Sequence, residues 1–143
     1  MMKGLFAVGA LALVFASFGC AEEGEDVLLN ARLFNAQTMA SEGGGCSMYR
    51  LGSKSTSGGS LHGPDFVVSE DQSESAITIT VTPAQGSDVL VTRAYDAAFF
   101  QSGRLDEFTA SSSSGAGMLL RYWGKFHPVG SADCAPLDEP GPR

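Results

Sequence analysis

The side chains able to do chemistry in this chain are few, and their spacing limits what they can do. The only two histidines are His62 and His127. A Ser-His-Asp arrangement can be drawn from Ser60, His62 and Asp65, but no G-x-S-x-G elbow is present and the segment is a Gly/Pro-rich loop, which holds catalytic geometry poorly. Zinc needs three or four ligands, and neither H-x-x-x-H nor C-x-x-C occurs. His62 reads as an exposed loop residue, and His127, just before Pro128, as the end of the last strand. Glu70, Asp71 and Glu74, with Ser69 and Ser73 between them, offer carboxylates and hydroxyls for a weak Ca²⁺ site, but they lack the D-x-D-x-D-G spacing, and a solvated acidic loop is the default. Asp106 and Glu107 are adjacent, so on a strand they face opposite sides and cannot form a glycosidase pair. The expectation is therefore no catalytic residue, no metal and no cofactor.

Binding chemistry has one better candidate. Tyr122 and Trp123 follow Leu119-Leu120-Arg121 and precede Lys125. If Met118, Leu120 and Tyr122 face the core, then Leu119, Arg121 and Trp123 face outward. Arg121, Trp123 and Lys125 would then form a basic aromatic patch suited to a protein or glycan partner, beside the Gly/Ser segment 111–117. The opposite facing makes Trp123 the anchor of the core. Sixteen acids against nine bases give a net charge of −7, which argues against nucleic acid as a partner, since that requires clustered Lys and Arg.

The N-terminus carries an address. Lys3 is followed by a charge-free apolar run from Gly4 to Phe18, shorter than the roughly 20 residues a membrane-spanning helix needs and right for the core of a signal peptide. Acid-rich Glu22, Glu23, Glu25 and Asp26 come directly after it. Ser17-Phe18-Gly19-Cys20 resembles the lipobox of bacterial lipoproteins, matching it at Gly19 and Cys20 and departing from it at Ser17 and Phe18. The resemblance implies a diacylglyceryl thioether on Cys20, with palmitate-type acyl chains holding the protein to a Gram-negative cell envelope. Ala21, in place of Asp, points to the outer membrane. Ordinary signal-peptidase cleavage before Cys20 is the competing reading, with small Ser17 and Gly19 in place, and it would make the protein secreted or periplasmic. The chain has three cysteines, and an exported protein with an odd count leaves one thiol over. If Cys20 takes the lipid, Cys46 and Cys134 remain as one disulfide pair.

These features divide the chain into a signal peptide (1–19), a lipidated acidic tether (20–26), one domain (27–136) and a Pro-rich flexible tail (137–143). Within the domain the hydrophobic period is two. Ile77-Thr78-Ile79-Thr80-Val81-Thr82 alternates cleanly, and after the break at residues 83–87 Asp88 to Tyr95 makes the second arm of a hairpin. Further strands are expected at Val27–Phe34, Cys46–Leu51, Phe66–Ser69, Leu105–Ala110 and Met118–Phe126. Gly43–Gly45, Ser53–Ser60 and Ser111–Gly117 are expected as flexible connectors. Only Asp96–Gln101 suggests a helical turn. The pattern predicts an all-β antiparallel β-sandwich, with an immunoglobulin-like order first. The run from Val89 to Asp96, then Ser102 to Phe108, resembles C2-type sandwiches. Ala98 stands where the second calcium-binding acid of that family would fall, so the likeness speaks for a fold and against calcium.

Two functions fit this reading. One is a non-enzymatic envelope lipoprotein whose sandwich binds a protein or glycan. The other is a small secreted or periplasmic inhibitor or accessory of a hydrolase.

Overall fold

The computed structural model describes residues 25–52, 56–127, 134 and 138–140. The expected signal peptide, Cys20 and most of the expected tether lie outside the described residues. Among the described residues eight strands and one short helix follow in the order β1 (Glu25–Asn35), β2 (Ser41–Leu51), β3 (Thr56–His62), β4 (Phe66–Gln72), β5 (Ala76–Pro83), β6 (Val91–Asp96), α1 (Ala97–Ser102), β7 (Asp106–Ser111) and β8 (Gly117–Phe126). They form two four-stranded sheets, β2-β1-β8-β7 and β3-β4-β5-β6, and every pairing is antiparallel. The expected all-β sandwich is what the chain folds into.

Its connectivity is simpler than the immunoglobulin order expected first. Every hydrogen-bonded neighbour is also a neighbour in sequence, except that β8 returns to pair with β1. An immunoglobulin sandwich needs Greek-key crossings between its sheets. Here the chain changes sheet only twice, from β2 to β3 and from β6 to β7.

Alternation builds the core. Val27, Leu29, Ala31 and Leu33 of β1, Ile77, Ile79 and Val81 of β5, and Met118, Leu120 and Tyr122 of β8 all point between the sheets. Helix α1 closes one end. Asp96 caps it by accepting from the Phe99 amide at 3.1 Å, and Gly103 ends it in the left-handed region at φ 67°. Its Phe100 inserts against β8 where Gly124 leaves room, since a Cβ there would lie 2.7 Å from the Phe100 ring.

Four expectations need correction. Gly43–Gly45 is not a connector but part of β2, in register with Leu33, Arg32 and Ala31. Within Ser53–Ser60, residues 56–60 belong to β3, an edge strand whose register shifts between Ser57 and Ser60, and residues 53–55 lie outside the described residues. The acidic loop does not exist as one: Glu70 is on β4 and points into the core, 3% exposed, while Asp71 faces out. The second arm of the hairpin starts at Val91, leaving Val89 exposed. The chain leaves β2 and turns after β7 at opposite ends of the sandwich. Gly52, leading out of β2, bonds to the Glu74 carbonyl, whereas Ser112–Ser114 lie with Pro83–Gly86 at the opposite end.

Candidate functional site

The β2-β1-β8-β7 sheet has a second face, turned away from the core. Alternation places Leu28, Asn30, Arg32 and Phe34 of β1 there, beside Trp123 and Arg121 of β8. Asn30 sits between Cys46 on one side and Trp123 on the other, and in the next row Arg32 lies between Gly44 and Arg121, with Glu107 of β7 beyond.

Cys46 is bridged to Cys134 with their Cα atoms 5.9 Å apart, which brings the chain after β8 back onto this face. Glu139 then spans the two arginines: its Oε1 lies 3.3 Å from Arg32 Nη1 and its Oε2 2.9 Å from Arg121 Nη1. Arg121 also donates from Nε to Glu107 Oε2 at 2.6 Å. That bond, with the Glu139 charge adding to it, raises the Arg121 pKa above its ordinary value. Both guanidinium carbons stand 5.1 Å from the centre of the Phe34 ring. A cavity of about 430 Å³ is left beside them, lined by Asn30, Arg32, the glycines, Trp123, Asp138 and Glu139.

The three residues expected as a binding patch divide. Trp123 faces outward with Arg121, as one of the two facings requires, but it is only 5% exposed, so it is not an open aromatic surface. Arg121 is engaged by two carboxylates, and Lys125 is exposed. The open basic patch beside segment 111–117 is therefore not what the fold presents. Sequence reading missed Arg32 and Glu139, which no local motif marks.

The residues weighed for catalysis are placed as follows. Ser60 Oγ and His62 Nε2 are 3.2 Å apart, both exposed on the β3 edge. Asp65 is in the following turn, where its backbone carbonyl accepts from Ala84. Among the described residues no group of three or more His, Cys, Asp or Glu side chains is arranged to hold a metal. Glu70 accepts hydrogen bonds from Tyr49 and Tyr122 in the core. At the end where β1 begins, Asp26 is bonded to Arg50 Nε at 2.8 Å, which holds its pKa below the usual carboxylate range. Among the described residues no helix is long and apolar enough to cross a membrane. No family model, curated protein or solved structure matches the chain.

Proposed function

We propose that this chain is a non-enzymatic lipoprotein of the cell envelope, anchored in the outer membrane through Cys20, whose β-sandwich binds a protein or glycan. The observation that carries the reading is the Cys46–Cys134 bridge. It uses two of the three cysteines and leaves Cys20 as the one remaining thiol, directly after Gly19 at the end of the apolar N-terminal run. An oxidised pair also suits an exported protein.

Geometry adds a consequence. Strand β1 starts at Glu25, five residues after Cys20, at the end of the sandwich shared with Leu51 and Phe126. Five residues reach at most about 18 Å. A lipid on Cys20 would therefore keep that end close to the bilayer and turn the loops at residues 84–90 and 112–116 away from it.

Metabolic labelling with a palmitate analogue tests the proposal. The wild-type chain should carry the label and sediment with membranes, and Cys20→Ala should lose the label and become soluble. Unlabelled, soluble wild-type protein would instead favour the secreted or periplasmic accessory of a hydrolase.

A further inference from the structure

We propose that the outward face of the β2-β1-β8-β7 sheet is a groove for an extended acidic peptide, and that the chain's own Asp138-Glu139-Pro140 segment is its resident occupant, kept there by the Cys46–Cys134 bridge. This rests on the reading of the sandwich as a binding module, and it names what that module binds.

Burial gives the first reason. Leu28, Asn30, Phe34 and Trp123 are 3%, 2%, 8% and 5% exposed, yet none of them belongs to the core cluster between the sheets. A sheet face open to water does not bury a tryptophan that far. The described residues that line the cavity from outside the sheet are Asp138 and Glu139.

Charge gives the second. Arg32 and Arg121 are direct cross-strand partners. Like charges placed opposite one another on neighbouring strands repel, so this pairing makes sense when an anion lies between them. The Glu139 carboxylate does so, with one oxygen on each guanidinium. Two guanidiniums that share one carboxylate, both over the Phe34 ring, form a fork built for a carboxylate side chain.

Space gives the third. Gly44 occupies the same row as Arg32 and carries no side chain, so the β2 side of the groove stays open. The cavity of about 430 Å³ lies there, with Trp123 among its walls. Asp138 and Glu139 form its outer wall, so the resident segment spans the groove above Arg32 and Arg121 and does not fill it.

The arginine contacts are partly exposed and individually weak. What keeps the resident segment in place is the bridge, which raises its effective concentration at the groove. Thiol–disulfide exchange with a dithiol reductant, which is itself oxidised to a disulfide as Cys46 and Cys134 become thiols, opens the bridge and frees the groove for an acidic segment of another protein.

The single tryptophan, Trp123, supplies the readout. The probe is a synthetic peptide with the sequence of residues 135–143, compared with the same peptide carrying Glu139→Gln, at low salt. The protein is the chain with Cys20→Ala. Oxidised, it should show no change in Trp123 emission, because its own Glu139 already occupies both arginines. With Glu139→Gln in the protein and the bridge reduced, the acidic peptide should bind at least about tenfold more tightly than its Gln version. Adding Arg32→Gln and Arg121→Gln should abolish that difference. Should reduction unfold the chain, the oxidised protein with Glu139→Lys serves instead, since a third positive charge drives the segment off Arg32 and Arg121 with the bridge intact, and the acidic peptide alone should shift its emission. Equal affinity for the two peptides overturns the proposal, as does no response from a natively folded Glu139→Lys protein. Concentration-dependent dimers formed by exchange of the C-terminal segment overturn it in favour of a second copy as the occupant. Palmitate labelling of Cys20 is read separately, so failure of the groove and failure of the envelope reading are distinguishable.

Discussion

Tyr49 donates a 2.5 Å hydrogen bond from its hydroxyl to Glu70 Oε1, joining β2 of one sheet to β4 of the other. The hydroxyl of Tyr122, on β8, reaches Glu70 Oε2 at 3.5 Å. A buried carboxyl group is costly unless its oxygens are satisfied, so these bonds make Glu70 tolerable at 3% exposure. Tyr49→Phe should cost about 1–3 kcal/mol by removing the short donor. For a domain of this size each kcal/mol lowers Tm by about 4–8 °C. Replacing the whole trio, Tyr49→Phe and Tyr122→Phe with Glu70→Leu, should recover part of the loss, because neither the carboxyl group nor a hydroxyl bonded to it is then stranded. Thermal melts of Tyr49→Phe and of the triple variant decide the matter. An unchanged Tm for Tyr49→Phe would mean the bond contributes nothing.

All three tyrosines of the chain are buried with bonded hydroxyls, which predicts alkaline unfolding. Burial raises the pKa of Tyr49, Tyr95 and Tyr122 well above the ordinary value. For Tyr49 and Tyr95 the hydrogen bonds to Glu70 and Asp106 come next, and for Tyr122 the charge of Glu70 does. The folded state thus keeps these protons when the unfolded chain has begun to lose them. Stability is intact below about pH 10 and falls as pH rises beyond it, by up to about 1.4 kcal/mol per pH unit for each tyrosine. Denaturant melts from pH 8 to 11.5, with phenolate absorbance followed in parallel, should show ionisation coinciding with unfolding. Phenolate appearing while the fold persists would contradict it.

The bridge should be a major stabiliser. Cys46 and Cys134 are 88 residues apart, and the loop they close contains most of the sandwich. In the chain-entropy model such a loop is worth roughly 4–5 kcal/mol, comparable to the lower end of a small domain's whole stability. Reduction, or Cys134→Ser, should lower Tm by at least about 10 °C. Mass spectrometry of the unreduced exported protein should find both thiols bonded.

Strong alternation was legible in the sequence wherever a strand has one dry and one wet face. Ile77–Thr82 and Met118–Tyr122 show it, and there the expected facing matches the burial pattern. The strands that were missed are edges or contain polar residues. Thr56–His62 is rich in Ser and Gly because it is an edge, and a Cβ at Gly58 would lie 2.7 Å from the Tyr49 hydroxyl. Glu70 looked like part of an acidic loop because its partners are 21 and 52 residues away. The outward site was hidden for the same reason. Arg32 and Glu139 are 107 residues apart, and only the register of β1 against β8 puts Arg32 beside Arg121. The sandwich class follows from local periodicity, whereas strand order and the arginine fork depend on long-range pairing that periodicity does not encode.

Trp123 should matter for stability. Burial on the outward face means Trp123→Ala removes a large apolar side chain from a packed site, at a cost of about 3–5 kcal/mol. Trp123→Phe should cost less, since it keeps most of the packing. A Trp123→Ala variant that melts within a degree or two of wild type would restore the open-patch reading, in which this residue serves only a partner.

Two glycines in paired strands should respond oppositely to alanine. Gly124 of β8 and Gly45 of β2 both lie in the β2-β1-β8-β7 sheet. A Cβ on Gly124 would press into the Leu28 carbonyl and lie 2.7 Å from Phe100 Cε1. The backbone of β1 cannot yield without breaking its pairing with β8, and Phe100 cannot yield without lifting α1 from the end of the sandwich. Overpacking of this kind costs about 1–3 kcal/mol. A Cβ on Gly45 meets nothing within 4 Å. Alanine there also narrows the freedom of the unfolded chain, so Gly45→Ala should be neutral or slightly stabilising, by about 0.4–1 kcal/mol at most. Side-by-side melts test the pair. Equal effects at the two sites would mean that α1 does not depend on the bare surface of Gly124, and the packing of Phe100 against β8 would need another explanation.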